Sequence, residues 1–287
     1  MRFSVVITTL NRSDLLIETL KCYERQDFDK KQFELVVVDD GSVPDSEKLV
    51  SDFRRNSGLN VSYVWQENKG LASARNTGVR LARGDYILLS TDDIMPLDAD
   101  FLSQHDRVHL RAEGVACLGP NLWHPKLDIT EAMRFLAPNG PAFDYGAIKN
   151  PNNCGYKFFM GNVSLHRSWF SRELFDENFI GASFDDIEFG YRVCKQGLRI
   201  VYNPDARLYH YHHYKTFGEF YNAILKRKSG YDYMIEKHPE LKKPVVRICA
   251  SGLLALLGWI SFKITGAARF KYVYWRYMLN YQVFRRW

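Results

Sequence analysis

The chain has 287 residues, of which 46% are apolar and 25% charged, with a formal net charge of +6. This length and composition are those of a globular protein with a sizeable core, and they exclude a disordered chain. Its five cysteines are widely spaced and form no C-x-x-C pair, which argues against a disulfide framework or zinc site and favours a reducing cytosol.

The first hundred residues alternate between apolar runs and amphipathic stretches. The patterns predict helices from Ser13, from about Pro44 to Asn56 and from about Leu71 to Ala82, with strands at FSVVIT (3–8), ELVVVDD (34–40), VSYVWQ (61–66) and DYILLS (85–90). The first run is too short for a signal peptide. Apolar strands separated by helices predict an α/β fold with a parallel sheet covered on both faces.

The pattern is less regular after residue 100. A Pro/Asn/Gly-rich stretch at 138–155 predicts a mobile loop. It is followed by a predicted strand at KFFMGNVSLH (157–166), a helix at SFDDIEFGYRVCKQG (183–197), short strands at LRIVYN and ARLYHYHHY, and a helix at 217–237.

Polar side chains stand at the carboxyl ends of three predicted strands, where ligands bind in sheets of this kind. They are Thr8 with Thr9, Asp39 with Asp40, and Asp92 with Asp93. Adjacent carboxylates suit a hard divalent cation that bridges phosphate oxygens. The structural alternative is that these aspartates cap a helix or form turns.

Two further groups are candidates for chemistry. Asp185 and Asp186 open a helix, where one carboxylate can serve as a general base, although Ser183 to Asp186 also matches a capping box. His210 and His212 share one face of a strand-like run, as a pair of metal ligands would, whereas a lone histidine is usually structural. Neither G-x-G-x-x-G nor a P-loop follows the first strand, where TTLNRS stands, so a dinucleotide or P-loop enzyme is disfavoured.

Six ordered segments together resemble the family-2, nucleotide-sugar-dependent glycosyltransferases. They are VVITTLNR (5–12), VVVDDGS (36–42), NKGLASARNTG (68–78), GDYILLSTDDIMP (84–96), FMGNVSLHR (159–167) and FDDIEFGYR (184–192). The resemblance covers about residues 3–215 and implies an inverting GT-A fold, Rossmann-like with a mainly parallel sheet. It also implies a catalytic domain at 1–215, with a nucleotide-binding half at 1–100 and an acceptor half at 101–215, and a C-terminal helical appendage at 216–287.

The resemblance implies a role for each candidate residue. Thr8 and Asp40 would hold the nucleoside of a UDP-sugar donor, Asp39 would support that turn, and Arg75 would reach the nucleotide. Asp92 would contact the ribose or the metal shell, and Mn²⁺ or Mg²⁺ would be held by Asp93 with His210 or His212. Asp186, with Asp185 beside it, would be the base of a single displacement onto a hydroxyl of a glycan or lipid-linked acceptor.

The last part of the chain is basic and aromatic. Residues 245–287 carry seven Lys or Arg and no Asp or Glu, and 248–262 form an uncharged run shorter than the ~20 residues of a bilayer span. This composition predicts peripheral contact with the inner face of the cell membrane. The alternative is an amphipathic hairpin packed on the catalytic domain or on the twin subunit of a homodimer. No nucleic-acid-binding module accompanies the basic residues.

Two other functions stay open from the sequence. A sugar nucleotidyltransferase would need a glycine-rich, lysine-bearing loop after the first strand, which TTLNRS lacks. An inactive GT-A-like scaffold at the membrane would not need Asp93 and Asp186.

Overall fold

The computed structural model describes residues 1–136, 161–179 and 184–242, with isolated positions between 257 and 274. The loop predicted at 138–155, Ser183 and most of the tail at 245–287 lie outside the described residues. The chain divides into two compact units, one of residues 1–128 with 137–212 and one of 129–136 with 213–287. The predicted functional halves of the catalytic domain stay predictions.

Strands and helices alternate along the first unit. Its helices are α1 (Ser13–Glu24), α2 (Glu47–Ser57), α3 (Leu71–Leu81), α4 (Phe101–Arg111), α6 (Ser168–Arg172) and α7 (Asp185–Lys195). Its strands are β1 (Phe3–Thr9), β2 (Phe33–Asp39), β3 (Asn60–Trp65), β4 (Tyr86–Thr91), β5 (Ile94–Pro96), β6 (Val115–Leu118), β7 (Asn121–Trp123), β8 (Val163–His166), β9 (Arg199–Tyr202) and β10 (Leu208–His210). The second unit contains α5 (Glu131–Leu136), α8 (Phe217–Lys226), α9 (Lys228–Lys237) and a 3₁₀ turn at Pro239–Leu241.

The central sheet has seven strands in the order β3-β2-β1-β4-β8-β6-β9. All neighbours are parallel except at β8, which is antiparallel to both β4 and β6. A second, three-stranded sheet has the order β5-β10-β7. The predicted α/β class with a mainly parallel sheet is confirmed.

Helices cover both faces of the large sheet, so β1 and β2 are buried at every position. Val6, Val36 and Val38 belong to one apolar cluster, whereas Val5 and Val37 belong to the other. Because successive side chains of a strand point to opposite faces, an uninterrupted apolar run fills both clusters.

Helix α3 lies very close to the sheet. A Cβ placed on Gly78 would come within 2.3 Å of Val6 Cγ1 and 3.2 Å of Val38 Cγ2. Only glycine therefore allows this approach, which brings the helix that carries Arg75 against β1 and β2.

A buried polar network joins α4 to β8 and the residue before it. His105 Nδ1 and His109 Nε2 lie 2.8 and 2.7 Å from Ser164 Oγ, and His105 Nε2 lies 3.0 Å from Asn162 Oδ1. The Asn162 amide donates to the carbonyls of Pro120 and Ala206 at 3.2 and 2.8 Å. These bonds tie α4 and β8 to the segments that enter β7 and β10.

Several elements differ from the predictions. Of the strand predicted at 157–166, residues 163–166 form a strand and 157–160 lie outside the described residues. The run ARLYHYHHY contains only the three-residue β10, because pairing with β5 and β7 ends at His210. The helix predicted at 217–237 is two helices that meet at Arg227. The sequence pattern predicts no element between 97 and 136, where α4, β6, β7 and α5 form.

In the second unit, the Thr130 hydroxyl donates to the Tyr214 carbonyl at 2.7 Å, which links the start of α5 to the segment before α8. Among the described residues, no helix combines the length and the apolar character that a bilayer crossing requires.

Candidate functional site

Asp39 ends β2 and Asp40 follows it, and each organises a different loop. The buried Asp39 carboxylate accepts hydrogen bonds from the backbone N–H of Ser42 and Ser46, at 2.8 and 3.1 Å, and from the Tyr63 hydroxyl at 2.9 Å. These bonds fix the turn that leads into α2. Their number leaves Asp39 little room to bind a ligand directly.

Asp40 holds the loop before α3. Its Oδ1 accepts from Gln66 Nε2 at 2.7 Å and from the Lys69 N–H at 3.1 Å, and its Oδ2 accepts from the Gly70 N–H at 2.9 Å. Gly70 caps the N-terminus of α3. Asp40 therefore sets the start of the helix that carries Arg75.

The carboxyl ends of β1 and β4 meet directly. Thr9 Oγ1 donates to Asp92 Oδ2 at 2.7 Å, and Thr8 pairs in register with Thr91. The buried Thr8 Oγ1 has no hydrogen-bond partner among the described residues. A buried hydroxyl without a partner is costly, so a ligand that hydrogen-bonds to it gains affinity.

The two adjacent carboxylates of Asp92 and Asp93 have opposite pKa shifts. Burial, with the neighbouring Asp93, raises the pKa of Asp92 to about 6, against the lowering effect of Arg12. Burial alone would also raise the pKa of Asp93, but His210, Arg12 and Thr91 lower it well below its usual range. Asp93 is thus held as a carboxylate.

Asp93 has a histidine pair beside it. His210 Nε2 lies 3.7 Å from Asp93 Oδ2, and one ligand atom from each of Asp93, His210 and His212 lies within 4.8 Å of the other two. The imidazole rings of the histidines are stacked with centroids 5.5 Å apart, and the Trp123 ring stacks on His210 at 5.8 Å. One carboxylate oxygen and two imidazole nitrogens form a donor set that fits a divalent metal ion.

Backbone pairing holds this cluster together. His210 pairs with Ile94 in the antiparallel β5–β10 ladder, and the Tyr211 N–H donates to the Asp93 carbonyl at 2.7 Å. His212 lies beyond the end of β10, so the strand alternation expected from the sequence does not place it. The irregular segment that follows the strand does.

Asp185 and Asp186 begin α7 and have different surroundings. Asp185 is buried and forms an ion pair with Arg75, which is also buried. Asp186 is half-buried, and its Oδ1 accepts from the Ile187 N–H at 2.8 Å. The residue before the helix, Phe184, has a φ of 62° and makes no side-chain capping bond.

The structure therefore connects the predicted residues in two groups. Thr8, Thr9, Asp92, Asp93, His210 and His212 gather at the ends of β1 and β4. Asp40 is linked through α3 and Arg75 to Asp185 and so to the helix that begins beside Asp186.

Sequence reasoning missed Arg12, whose Nη1 lies 2.6 Å from Asp93 Oδ2 and 3.2 Å from Asp92 Oδ1. Arg12 lies in TTLNRS (8–13), shortly after β1 ends at Thr9. Its position near the end of a strand was the only signal that it belongs to the site. It also missed Trp123, which belongs to a strand of three residues with no alternation to reveal it.

Comparison with known proteins identifies relatives of this chain. A family model described as Glycosyl transferase family 2 matches residues 4–177. Chondroitin synthase from Escherichia coli is 30% identical over 240 residues, which cover 72% of this chain and 34% of the synthase. The amylovoran biosynthesis glycosyltransferase AmsB from Erwinia amylovora is 32% identical over 225 residues, covering 75% of this chain and 71% of that protein. The chain thus spans about a third of the first relative and most of the second.

Among solved structures, the mannosyltransferase PcManGT from Pyrobaculum calidifontis, in complex with GDP-Man and Mn²⁺, matches with a TM-score of 0.71. The match covers 100% of this chain and 87% of that chain at 18% sequence identity. At this identity the match shows a shared fold.

Proposed function

The chain belongs to glycosyl transferase family 2, and from this premise we propose that it moves a sugar from a nucleoside-diphosphate sugar to a hydroxyl of a glycan or lipid-linked glycan acceptor. Its fold is the GT-A fold expected from the sequence. The observation that carries the proposal is the cluster of Asp93, His210 and His212 at the carboxyl end of the parallel sheet. Ligands of α/β sheets bind at this edge.

The donor set favours Mn²⁺ over Mg²⁺. Mg²⁺ prefers oxygen ligands and retains its water, whereas two of the three side chains here offer imidazole nitrogen. PcManGT, which shares the fold, was solved with Mn²⁺. When bound, the ion would neutralise the charge that builds up on the leaving diphosphate.

The chain's own residues would bind the rest of the donor. The Thr8 hydroxyl, buried and without a partner among the described residues, is a hydrogen-bond donor for the nucleoside or its ribose. Asp40 holds the loop at 66–70, and Asp92, whose pKa is raised to about 6, lies next to the proposed metal ligand Asp93. We expect UDP to be the nucleotide part of the donor, and the experiment below distinguishes it from GDP.

Asp186 would act as the general base. It takes the proton from the acceptor hydroxyl as that oxygen bonds to the anomeric carbon and the bond to the diphosphate breaks, with inversion. The buried Arg75–Asp185 pair supports this assignment because it fixes the helix start and leaves the half-buried Asp186 as the more accessible of the two carboxylates.

A membrane-bound acceptor would fit the C-terminal segment. The helical positions Leu257, Ile260 and Ile264 follow i, i+3, i+7 spacing and are 50%, 39% and 78% exposed. Lys263 is exposed between them, and the sequence around them is basic. We propose that this face rests on an anionic lipid surface, because apolar and basic side chains together bind such surfaces.

The test of the donor site is thermal unfolding of the purified chain with UDP, GDP, dTDP or CMP, each with Mn²⁺, Mg²⁺ or EDTA. We expect one nucleoside diphosphate to stabilise the protein with Mn²⁺ and much less with EDTA. A ligand at 100 times its Kd adds about 2.7 kcal/mol to the free energy of unfolding.

Asp93→Asn should lose this stabilisation, and Asp52→Asn, on the exposed side of α2, is the control that should keep it. Absence of a shift with every nucleotide would contradict the proposal.

A further inference from the structure

Arg12 places a guanidinium against the predicted metal ligand. It lies in the turn between β1 and α1, and its Nη1 is 2.6 Å from Asp93 Oδ2 and 3.2 Å from Asp92 Oδ1. The two carboxylates are 8% and 3% exposed, whereas the Arg12 side chain is 48% exposed. The cation is therefore held at one end and open to solvent along much of its length.

The contact uses the oxygen that a metal ion would need. Asp93 Oδ1 already accepts from the Thr91 hydroxyl at 2.7 Å, while Oδ2 faces both Arg12 and His210 Nε2. An ion bound by Asp93 and the two histidines would thus approach Oδ2. A guanidinium and a divalent cation that share one oxygen repel each other strongly, because little water separates them in a buried site.

We propose that Arg12 is a resident counter-ion of the metal site, which the divalent ion displaces from Asp93 Oδ2, and that the displaced guanidinium then binds the diphosphate of the donor. The inference rests on the proposed function, because the metal and the diphosphate belong to it. In the absence of both, the single charge of Arg12 offsets part of the repulsion between the two adjacent buried carboxylates.

The second half of the proposal follows from the chemistry of arginine. Its planar fork matches phosphate oxygens, and its long side chain reorients where it is solvent-exposed. A diphosphate on the metal lies within the same neighbourhood as Asp93. Arg12 loses Asp93 to the metal ion and gains the diphosphate as a new partner. Metal and donor would therefore bind with positive coupling.

The experiment measures Mn²⁺ affinity from the electron paramagnetic resonance signal of free Mn²⁺, with and without UDP or GDP. The proteins are the wild type, Arg12→Gln, Arg12→Lys and the control Arg55→Gln. Arg55 pairs with Asp52 on the surface of α2, so its replacement removes the same charge without touching the site. Circular dichroism confirms that each variant is folded.

We expect Arg12→Gln to bind Mn²⁺ alone about 10-fold more tightly than the wild type, in the range of ordinary coupling between sites. Arg12→Lys should lie between the two, and Arg55→Gln should match the wild type. The nucleotide should tighten Mn²⁺ binding in the wild type and do so much less in Arg12→Gln.

Mn²⁺ that binds the wild type and Arg12→Gln equally, or binds the variant more weakly, would overturn the inference and leave the metal site standing. Absence of Mn²⁺ binding to all four proteins, with and without nucleotide, would overturn the inference together with the metal-assisted function.

Discussion

Arg75 and Asp185 form an ion pair in which the side chains are only 6% and 3% exposed, although the residues are 110 positions apart. The guanidinium also lies over the Phe175 ring, 5.5 Å from its centroid. The pair joins α3 to the first residue of α7. The helix that presents Asp186 is thus fixed by an arginine for which the family resemblance implies a contact with the nucleotide.

Asp185→Asn should destabilise the protein strongly, because Arg75 would stay buried without its counter-charge. Breaking one partner of a buried pair costs about 3–5 kcal/mol. The measurement is urea unfolding followed by circular dichroism. Asp52→Asn breaks the exposed pair with Arg55 and should cost less than about 1 kcal/mol. Equal losses in the two variants would show that burial of the Arg75 pair contributes nothing.

Kinetics of Arg75→Lys would separate two roles for that residue. If Arg75 contacts the nucleotide, its replacement should raise KM for the donor. If it positions Asp186, its replacement should lower kcat with KM nearly unchanged, because the chemical step is then affected rather than binding. We expect the kcat effect, since the Arg75 guanidinium is already engaged by Asp185.

Asp186→Asn should abolish most transfer while keeping donor binding. Loss of a general base slows a reaction by about 10²- to 10⁴-fold. Transfer is measured with radiolabelled donor, and nucleotide binding by the Mn²⁺-dependent thermal shift described above. A variant that transfers sugar at the wild-type rate would remove Asp186 from the mechanism, whereas lost thermal stabilisation would place it in the donor site instead.

Stability should fall in mild acid because of the two buried histidines of α4. Burial lowers the pKa of His105 to about 4, and burial together with the charges of His105, Arg2 and His166 lowers the pKa of His109 to about 3. The unfolded chain takes up these two protons as the pH falls through about 6.5, whereas the folded chain does not. Above pH 6.5 the two histidines are neutral in both states and do not lower the free energy of unfolding. It decreases as the pH falls towards 4, by up to about 2.7 kcal/mol per pH unit for the two together.

The measurement is urea unfolding at intervals between pH 7 and 4.5. His105→Gln should reduce the slope by up to about 1.4 kcal/mol per pH unit, because the unfolded variant no longer takes up a proton at this position. Asn56→Gln, at an exposed position in the last turn of α2, changes no titrating group and is the control that should leave the slope as it is. An unaltered slope in His105→Gln would contradict the assignment.

Binding to lipid vesicles tests the C-terminal face. The full chain should sediment with vesicles that contain anionic phosphatidylglycerol and much less with pure phosphatidylcholine. Leu257→Glu with Ile264→Glu should abolish sedimentation, because it places charge on the apolar face. Leu225→Glu, at an exposed apolar position of α8, is the matched control. Equal sedimentation of both variants with anionic vesicles would refute the contact.

The first half of the fold could be predicted because its signals are local and repeated. Strands β1, β2 and β4 are long apolar runs, and α1 and α3 have helical spacing, so the elements follow from burial on both faces. Strands β5, β7 and β10 have three residues each, too few for alternation to be visible. Their pairing is a property of the folded chain.

The candidate site divides in the same way. Thr9 and Asp92 stand at the ends of two neighbouring strands, so their contact could be expected. The contacts of Arg12 with Asp93 and of Arg75 with Asp185 join residues with no local relationship in the sequence. Only the packing of α1, α3 and α7 brings them together.

The pairing of β5 with β10 has a consequence for the order of assembly. A chain that has formed only β1 to β4 has Asp93 in place but neither imidazole. Pairing of β10 with β5, which positions His210, must first close a long loop, and this closure has an entropy cost. Mn²⁺ affinity would therefore emerge late during folding, after the parallel core. During refolding, uptake of Mn²⁺ should lag behind the recovery of helix and strand. The lag would report when the small sheet forms.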